Sequence, residues 1–246
     1  KALRRSQWNN RMQRDYCLSD RIDWDALKTK FACRQRVEIV DFLADEQAKA
    51  LRADLMARHD WRLVLNAGDK VYEFTRHAFA ELDAKQRDDL NRLVLKAGRH
   101  GFQYRYEAIR APDGGDADGL DPLHRFIALL SAPETLERLN YVLGTTTVAF
   151  ADGQATRYDD GHFLTCHDDD VDGKNRHAAY VYSLAPAWRA EWGGLLMFHG
   201  ADGNIEEAFV PSMGALRLFA VPQRHSVSYV TPFAREPRLS ITGWLR

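Results

Sequence analysis

The stretch that decides the reading runs Tyr158-Asp-Asp-Gly-His-Phe-Leu-Thr-Cys-His167-Asp168-Asp169-Asp170-Val-Asp172-Gly173. Phe163–Cys166 is a short β-prone run that passes into a chain of aspartates, so a strand ends where the polar residues begin. Asp168-x-Asp170-x-Asp172-Gly173 imitates the opening of an EF-hand loop. The twelfth position of such a loop demands a bidentate Glu and holds Ala179, and the flanks read as strands, which excludes calcium. His167-x-Asp169 carries the alternative. Two residues apart at a strand end, both side chains project from one face, as adjacent ligands of one metal must. A single such pair is weak in a chain with nine His.

Working outward, His225 lies inside Arg224-His-Ser-Val-Ser-Tyr-Val-Thr-Pro232, and Arg238-Leu-Ser240-Ile-Thr-Gly-Trp244 follows. Two His and one carboxylate on one face of a metal, with open positions opposite, is the ligand set of non-haem Fe(II) oxygenases. Arg238 offers a planar fork suited to a carboxylate, and Ser240, two residues on, shares its strand face. His225 and Arg238 are read on consecutive strands joined by Pro232–Pro237, a hairpin that brings the metal and carboxylate sites together. After Gly144 the chain breaks into short β-rich runs: Thr146–Ala151, Thr156–Tyr158, His162–Cys166, Ala179–Leu184, Gly194–His199, Ala215–Val221, Ser226–Val230 and Leu239–Leu245. Their spacing is that of a sandwich or jelly roll. Before Gly144 the pattern is mostly helical. A short strand at Val37–Phe42 leads into a helix at Asp45–His59. Another helix starts at Asp83 and stops at Gly98, a strand spans Phe102–Tyr106, and two more helices cover Pro122–Leu130 and Ser131–Leu143. The expectation is an α+β chain: residues 1–36 as a basic N-terminal extension, and residues 37–246 as one domain with a β core at about 145–246.

These residues resemble the 2-oxoglutarate- and Fe(II)-dependent dioxygenases, in their prolyl-hydroxylase-like branch. The resemblance runs from about Thr146 to Arg246, with a weaker echo in Val37–Leu55. Beyond His167-x-Asp169, His225 and Arg238-x-Ser240, it includes Tyr180-Val-Tyr182-Ser-Leu, Trp192-Gly-Gly-Leu195-Leu-Met-Phe198, Pro211…Gly214…Leu218-Phe219 and Ile241-Thr-Gly-Trp244. It implies a double-stranded β-helix (jelly roll) with N-terminal supporting helices and iron at the open end. His167, Asp169 and His225 would ligate Fe(II), and Arg238 and Ser240 would take the distal carboxylate of 2-oxoglutarate. The same resemblance assigns Tyr182 to that carboxylate and brings Tyr158 near it. O2 is the co-oxidant and ascorbate an accessory reductant. The implied reaction couples decarboxylation of 2-oxoglutarate to succinate with C–H hydroxylation. Retention of Asp169 argues against a halogenating variant.

Composition bounds the rest. With 246 residues, 45% hydrophobic and 28% charged, the chain can build a globular core, and no apolar run reaches bilayer length. Cys17, Cys33 and Cys166 are too scattered for a disulfide frame or a Cys-based zinc site, which fits a cytoplasmic protein. Cys166 falls on the strand face opposite His167. The net charge of −1 gives no global attraction to nucleic acid, but residues 1–36 hold ten Lys/Arg against four Asp. Nucleic-acid contact is therefore expected only through that arm, and a polypeptide substrate, a prolyl residue within it, is the expected partner. Loops Ala111–Pro122 and Val171–Arg176 are candidates to cover it. The alternatives are a hydroxylase of a free amino acid or other small molecule, a non-catalytic jelly-roll binding module, and a zinc hydrolase. The last has no use for Arg238-x-Ser240.

Overall fold

The computed structural model describes residues 16–67, 70–111 and 121–246. Residues 1–15 of the expected basic arm and most of the Ala111–Pro122 loop (residues 112–120) lie outside them. Helix α1 (Trp24–Arg34), capped by the Asp23 side chain, leads through a left-handed Gln35 into strand β1 (Arg36–Ile39). In α2 (Asp45–Met56) the buried Ala48, Leu51 and Leu55 recur at helical spacing, as read from the sequence. β2 (Arg62–Ala67) and β3 (Lys70–Thr75) pair as a hairpin, followed by the short α3 (Arg76–Ala80). Asp83 and Gln86 form a reciprocal capping box at α4 (Ala84–Ala97), and Gly98 follows its end. After β4 (Tyr104–Arg110), α5 (Pro122–Leu130) is capped by Asp121 with Pro122 in its first turn. α6 (Pro133–Leu143) starts on Pro133 and ends on a left-handed Gly144.

Eight further strands complete the fold: β5 (Gln154–Tyr158), β6 (Phe163–His167), β7 (Ala178–Ser183), β8 (Leu196–His199), β9 (Ile205–Phe209), β10 (Leu216–Ala220), β11 (His225–Val227) and β12 (Arg238–Leu245). One antiparallel sheet runs β1-β10-β7-β12-β5-β4 and carries on through β6-β11-β8-β9, with β2 and β3 joined at β4. It curls so that β6-β11-β8 faces β10-β7-β12, which is the double-stranded β-helix with supporting helices expected from the sequence.

Alternation along the strands sorts the residues. From β7, β10 and β12, Tyr180, Tyr182, Leu216, Leu218, Leu239, Ile241 and Leu245 pack with Phe31, Leu51, Phe126 and Leu139 of the helices in the main core. Leu27 and Phe31 of α1 belong to this core, so α1 packs as part of the same body. The intervening positions face into the β-helix.

Several expectations need correction. β11 and β12 do not form a hairpin: β11 pairs with β6 and β8 and β12 with β5 and β7, so the two strands lie in opposite layers of the β-helix. The β2–β3 hairpin is absent from the sequence reading. Thr146–Ala151 is not a strand: it meets β12 only through one bridge, Ala151 to Leu245, while the Ala149 and Phe150 amides both donate to the Arg246 carbonyl. β5 pairs with β12 up to Thr242 and β7 takes the other edge, so only the last few residues of the chain are left for this segment to meet. β9, absent from the sequence reading, forms by pairing with β8, although its own residues are largely exposed.

Candidate functional site

His167 closes β6 and His225 opens β11, directly opposite each other in the ladder, with ring centroids 4.1 Å apart. Immediately beyond β6, Asp169 takes a left-handed backbone (φ +65°), which turns the chain away while its carboxylate remains at the strand end. Its Oδ1 lies 3.6 Å from His167 Nε2 and its Oδ2 3.5 Å from His225 Nε2. Among the described residues these three make up the one group of His, Cys or acidic side chains whose ligand atoms all lie within 4.8 Å of one another.

Both imidazoles are oriented from behind. His167 Nδ1 is 3.0 Å from the Thr165 carbonyl and His225 Nδ1 is 2.8 Å from that of Gln223. A carbonyl can only accept, so each Nδ1 carries a proton, and Nε2 is the nitrogen each ring turns toward Asp169. Burial, with the adjacent His167, pushes the His225 pKa down to about 4, which keeps its ring neutral at physiological pH. Phe219, edge-on at 4.6 Å, packs against that ring.

The triad opens on a cavity of about 460 Å³ with Arg238 deep inside it. Arg238 is 3% exposed, yet among the described residues no carboxylate pairs with it. Its Nη1 donates to Ser240 Oγ at 3.0 Å, its Nε has no partner, and its guanidinium lies 5.1 Å over the Tyr158 ring. Burial pushes the pKa of Arg238 down to about 10, so the group remains cationic at neutral pH. An isolated buried charge is costly, and one held with a free donor in a cavity is matched to an anionic guest. Gly194 makes room for it, since a Cβ there would lie 2.9 Å from Arg238 Cδ.

Tyr158 faces Arg238 across the β5–β12 ladder and Thr156 faces Ser240, with 3.1 Å between the Thr156 and Ser240 hydroxyls. Tyr158 therefore stands at the cavity, stacked on Tyr106, and burial raises its hydroxyl pKa. Tyr182 does not reach the site. It pairs with Ile241, on the helix-facing side of β12, and its ring packs on Phe126 and Phe42. Its hydroxyl is buried without a partner. The β7 residue that shares a face with Ser240 is Ser183.

The sequence reading missed Thr156, legible as the residue two before Tyr158, and the role of Arg176, which gives no local signal. Arg176 and Trp244 form part of the cavity wall, as do the aromatics Phe102, Tyr104 and Tyr106 nearer β4. The remaining histidines of interest are engaged elsewhere: His162 accepts from the Asp159 amide and His199 bonds Ser226 Oγ. Cys166 lies in a separate surface groove, on the face opposite His167.

A pair of histidines with one carboxylate, at the end of a double-stranded β-helix and above a buried arginine that pairs with no carboxylate among the described residues, is the donor arrangement used by Fe(II)-dependent oxygenases. Residues 153–246 match the family model of the 2OG-Fe(II) oxygenase superfamily. The chain is 31% identical over 113 residues to the mouse prolyl 3-hydroxylase OGFOD1, a match covering 43% of this chain and only 20% of that protein. Among solved structures it is similar to a Pseudomonas putida prolyl-4-hydroxylase, with TM-score 0.58 at 20% identity over 91% of this chain and 98% of that one. It is also similar to a Trichoplax adhaerens prolyl hydroxylase in complex with a hypoxia inducible factor oxygen degradation domain peptide fragment. There the TM-score is 0.60 at 16% identity, over 90% of this chain and 88% of that one.

The family implies Fe(II), 2-oxoglutarate and O2, and the residues present fit them. Two imidazole Nε2 atoms and a carboxylate are the donor set for Fe(II), and the unpaired Arg238 matches one end of a dicarboxylate. Among the described residues no helix is long and apolar enough to cross a membrane.

Proposed function

We propose that this chain is an Fe(II)- and 2-oxoglutarate-dependent hydroxylase acting on a prolyl residue within a polypeptide. When bound, the iron supplies the oxidative chemistry: decarboxylation of 2-oxoglutarate to succinate and insertion of one oxygen atom of O2 into a substrate C–H bond. His167, Asp169 and His225 hold the metal on one side and leave the cavity side for cosubstrate and O2. Arg238, helped by Ser240 and Thr156, receives the distal carboxylate and sets the distance of the 2-oxo end from the metal. Tyr158 and Tyr106 floor that pocket and keep water from it.

The observation that carries this reading is Arg238: a cation 3% exposed and, among the described residues, without a counter-ion, in the same cavity as the triad. A binding module would have no need to hold an unpaired charge there, and a zinc hydrolase no use for it. The polypeptide substrate is supported by the aromatic wall of Phe102, Tyr104 and Tyr106 at the cavity, a surface suited to an extended chain carrying a pyrrolidine ring. It is supported too by the names of the relatives, a prolyl 3-hydroxylase and a peptide-bound prolyl hydroxylase. Anaerobic addition of Fe(II) and 2-oxoglutarate should give a visible charge-transfer band that Arg238→Ala weakens. Mass spectrometry of cell extract should then find +16 Da marks on prolyl residues that depend on this protein. Efficient hydroxylation of free L-proline, with no such protein marks, would favour the small-molecule alternative.

A further inference from the structure

We infer that Arg176 is a positioning residue that locks the carboxylate ligand Asp169, and that the Trp244 ring holds Arg176 in place to do so. This rests on the reading of His167, Asp169 and His225 as the metal site.

Asp169 sits in the left-handed region, uncommon for residues with a Cβ, so its conformation has to be held by its surroundings. The hold comes from the far end of the following loop. Arg176 Nη1 donates to the Asp169 main-chain carbonyl at 2.9 Å, closing residues 170–175 into a clasped turn that also contains a Lys174 amide to Val171 carbonyl bond. The same nitrogen is 3.9 Å from Asp169 Oδ1, beyond hydrogen-bond reach. Arg176 thus grips the backbone of the ligand residue and leaves both carboxylate oxygens directed at the histidines. An ordinary surface ion pair would show the reverse pattern.

The arginine is itself fixed. Its guanidinium lies 3.6 Å over the Trp244 ring, and its side chain is 15% exposed. Trp244 stands on β12 with alternation from Arg238 and Ser240, so the stack ties the metal-side carboxylate to the strand that carries the carboxylate-binding arginine. Lysine could reach the same carbonyl but has no planar face to lay on the indole.

The test is Mn(II) affinity, read by electron paramagnetic resonance at saturating 2-oxoglutarate, together with the thermal midpoint of the metal-free protein. Arg176→Ala should weaken Mn(II) binding roughly tenfold or more, the range for partners that orient a ligand from behind. The metal-free midpoint should stay near wild type. Arg176→Lys should lose part of the affinity. Trp244→Leu should weaken it in the same direction, Trp244→Phe should restore most of it, and adding Arg176→Ala to Trp244→Leu should cost little more. Unchanged Mn(II) affinity in Arg176→Ala overturns the proposal. So does a loss of affinity matched by a loss of metal-free stability in both Arg176 variants, which would make the residue a structural brace. Failure of the wild-type chain to bind Mn(II) would instead remove the metal-site reading on which the inference stands.

Discussion

Strands β7 and β12 each bury two faces, and the faces hold opposite kinds of residue. Toward the helices, Tyr180, Tyr182, Leu239, Ile241 and Leu245 lie at 0–1% exposure in a continuous apolar core. Toward the inside of the β-helix, Ser183, Arg238 and Ser240 are also buried but are polar, and among the described residues no carboxylate pairs with Arg238. One face satisfies itself by packing. The other is left chemically incomplete, and a guest is needed to complete it. Neighbouring residues on one strand therefore divide the work, because the pleat sends them in opposite directions.

The difference should show in variants that act on one face alone. At the open end of the inner face, Asp169→Ala should take succinate-coupled hydroxylation to background, assayed as product formed per 2-oxoglutarate consumed, with the fold intact by circular dichroism. On the helix-facing side, Ile241→Ala should cost about 3 kcal/mol of stability through the cavity it leaves. Denaturant unfolding would measure this, and the folded fraction should keep its KM for 2-oxoglutarate. Equal stability in that variant would contradict the assignment of Ile241 to the core. Next, Arg238→Lys retains charge but not the fork, so KM for 2-oxoglutarate should rise roughly tenfold, about 1.4 kcal/mol, with little change in the unfolding midpoint. A weaker midpoint at unchanged KM would move Arg238 to the structural side of the comparison. The smallest effect belongs to Tyr182→Phe. Deleting a buried hydroxyl that has no partner should change stability by less than about 1 kcal/mol and leave KM for 2-oxoglutarate unchanged. A raised KM would bring Tyr182 back to the cosubstrate.

Tyr182 also shows where reading the chain reached its limit. Its parity relative to Ser240 depends on β7–β12 register, which pairs it with Ile241 and Ser183 with Ser240. A one-residue slip exchanges the faces, and nothing local to β7 sets that register. Tyr158 shows the converse, since the β5–β12 register brings it directly opposite Arg238. The β-prone run Thr146–Ala151 likewise reads as a strand by composition and fails to become one, as β5 and β7 leave it only the C-terminal end of β12 to pair with.

From sequence alone, the α+β class, helices α2, α4, α5 and α6, the helix start at Asp83, the jelly-roll spacing of the later strands and the spacing of His167-x-Asp169, His225 and Arg238-x-Ser240 could be read. Each depends on local spacing or on a periodicity of two or 3.6 that is written along the chain. Tertiary structure alone decided that Tyr182 packs among the helices, that Ser183 and Thr156 flank Ser240, that Arg238 has no counter-charge among the described residues, and that Arg176 reaches back over Trp244 to Asp169. Those facts depend on which strands pair, in what register, and on how a loop folds against a distant strand. Such contacts join residues far apart in the chain, where short-range pattern carries no information.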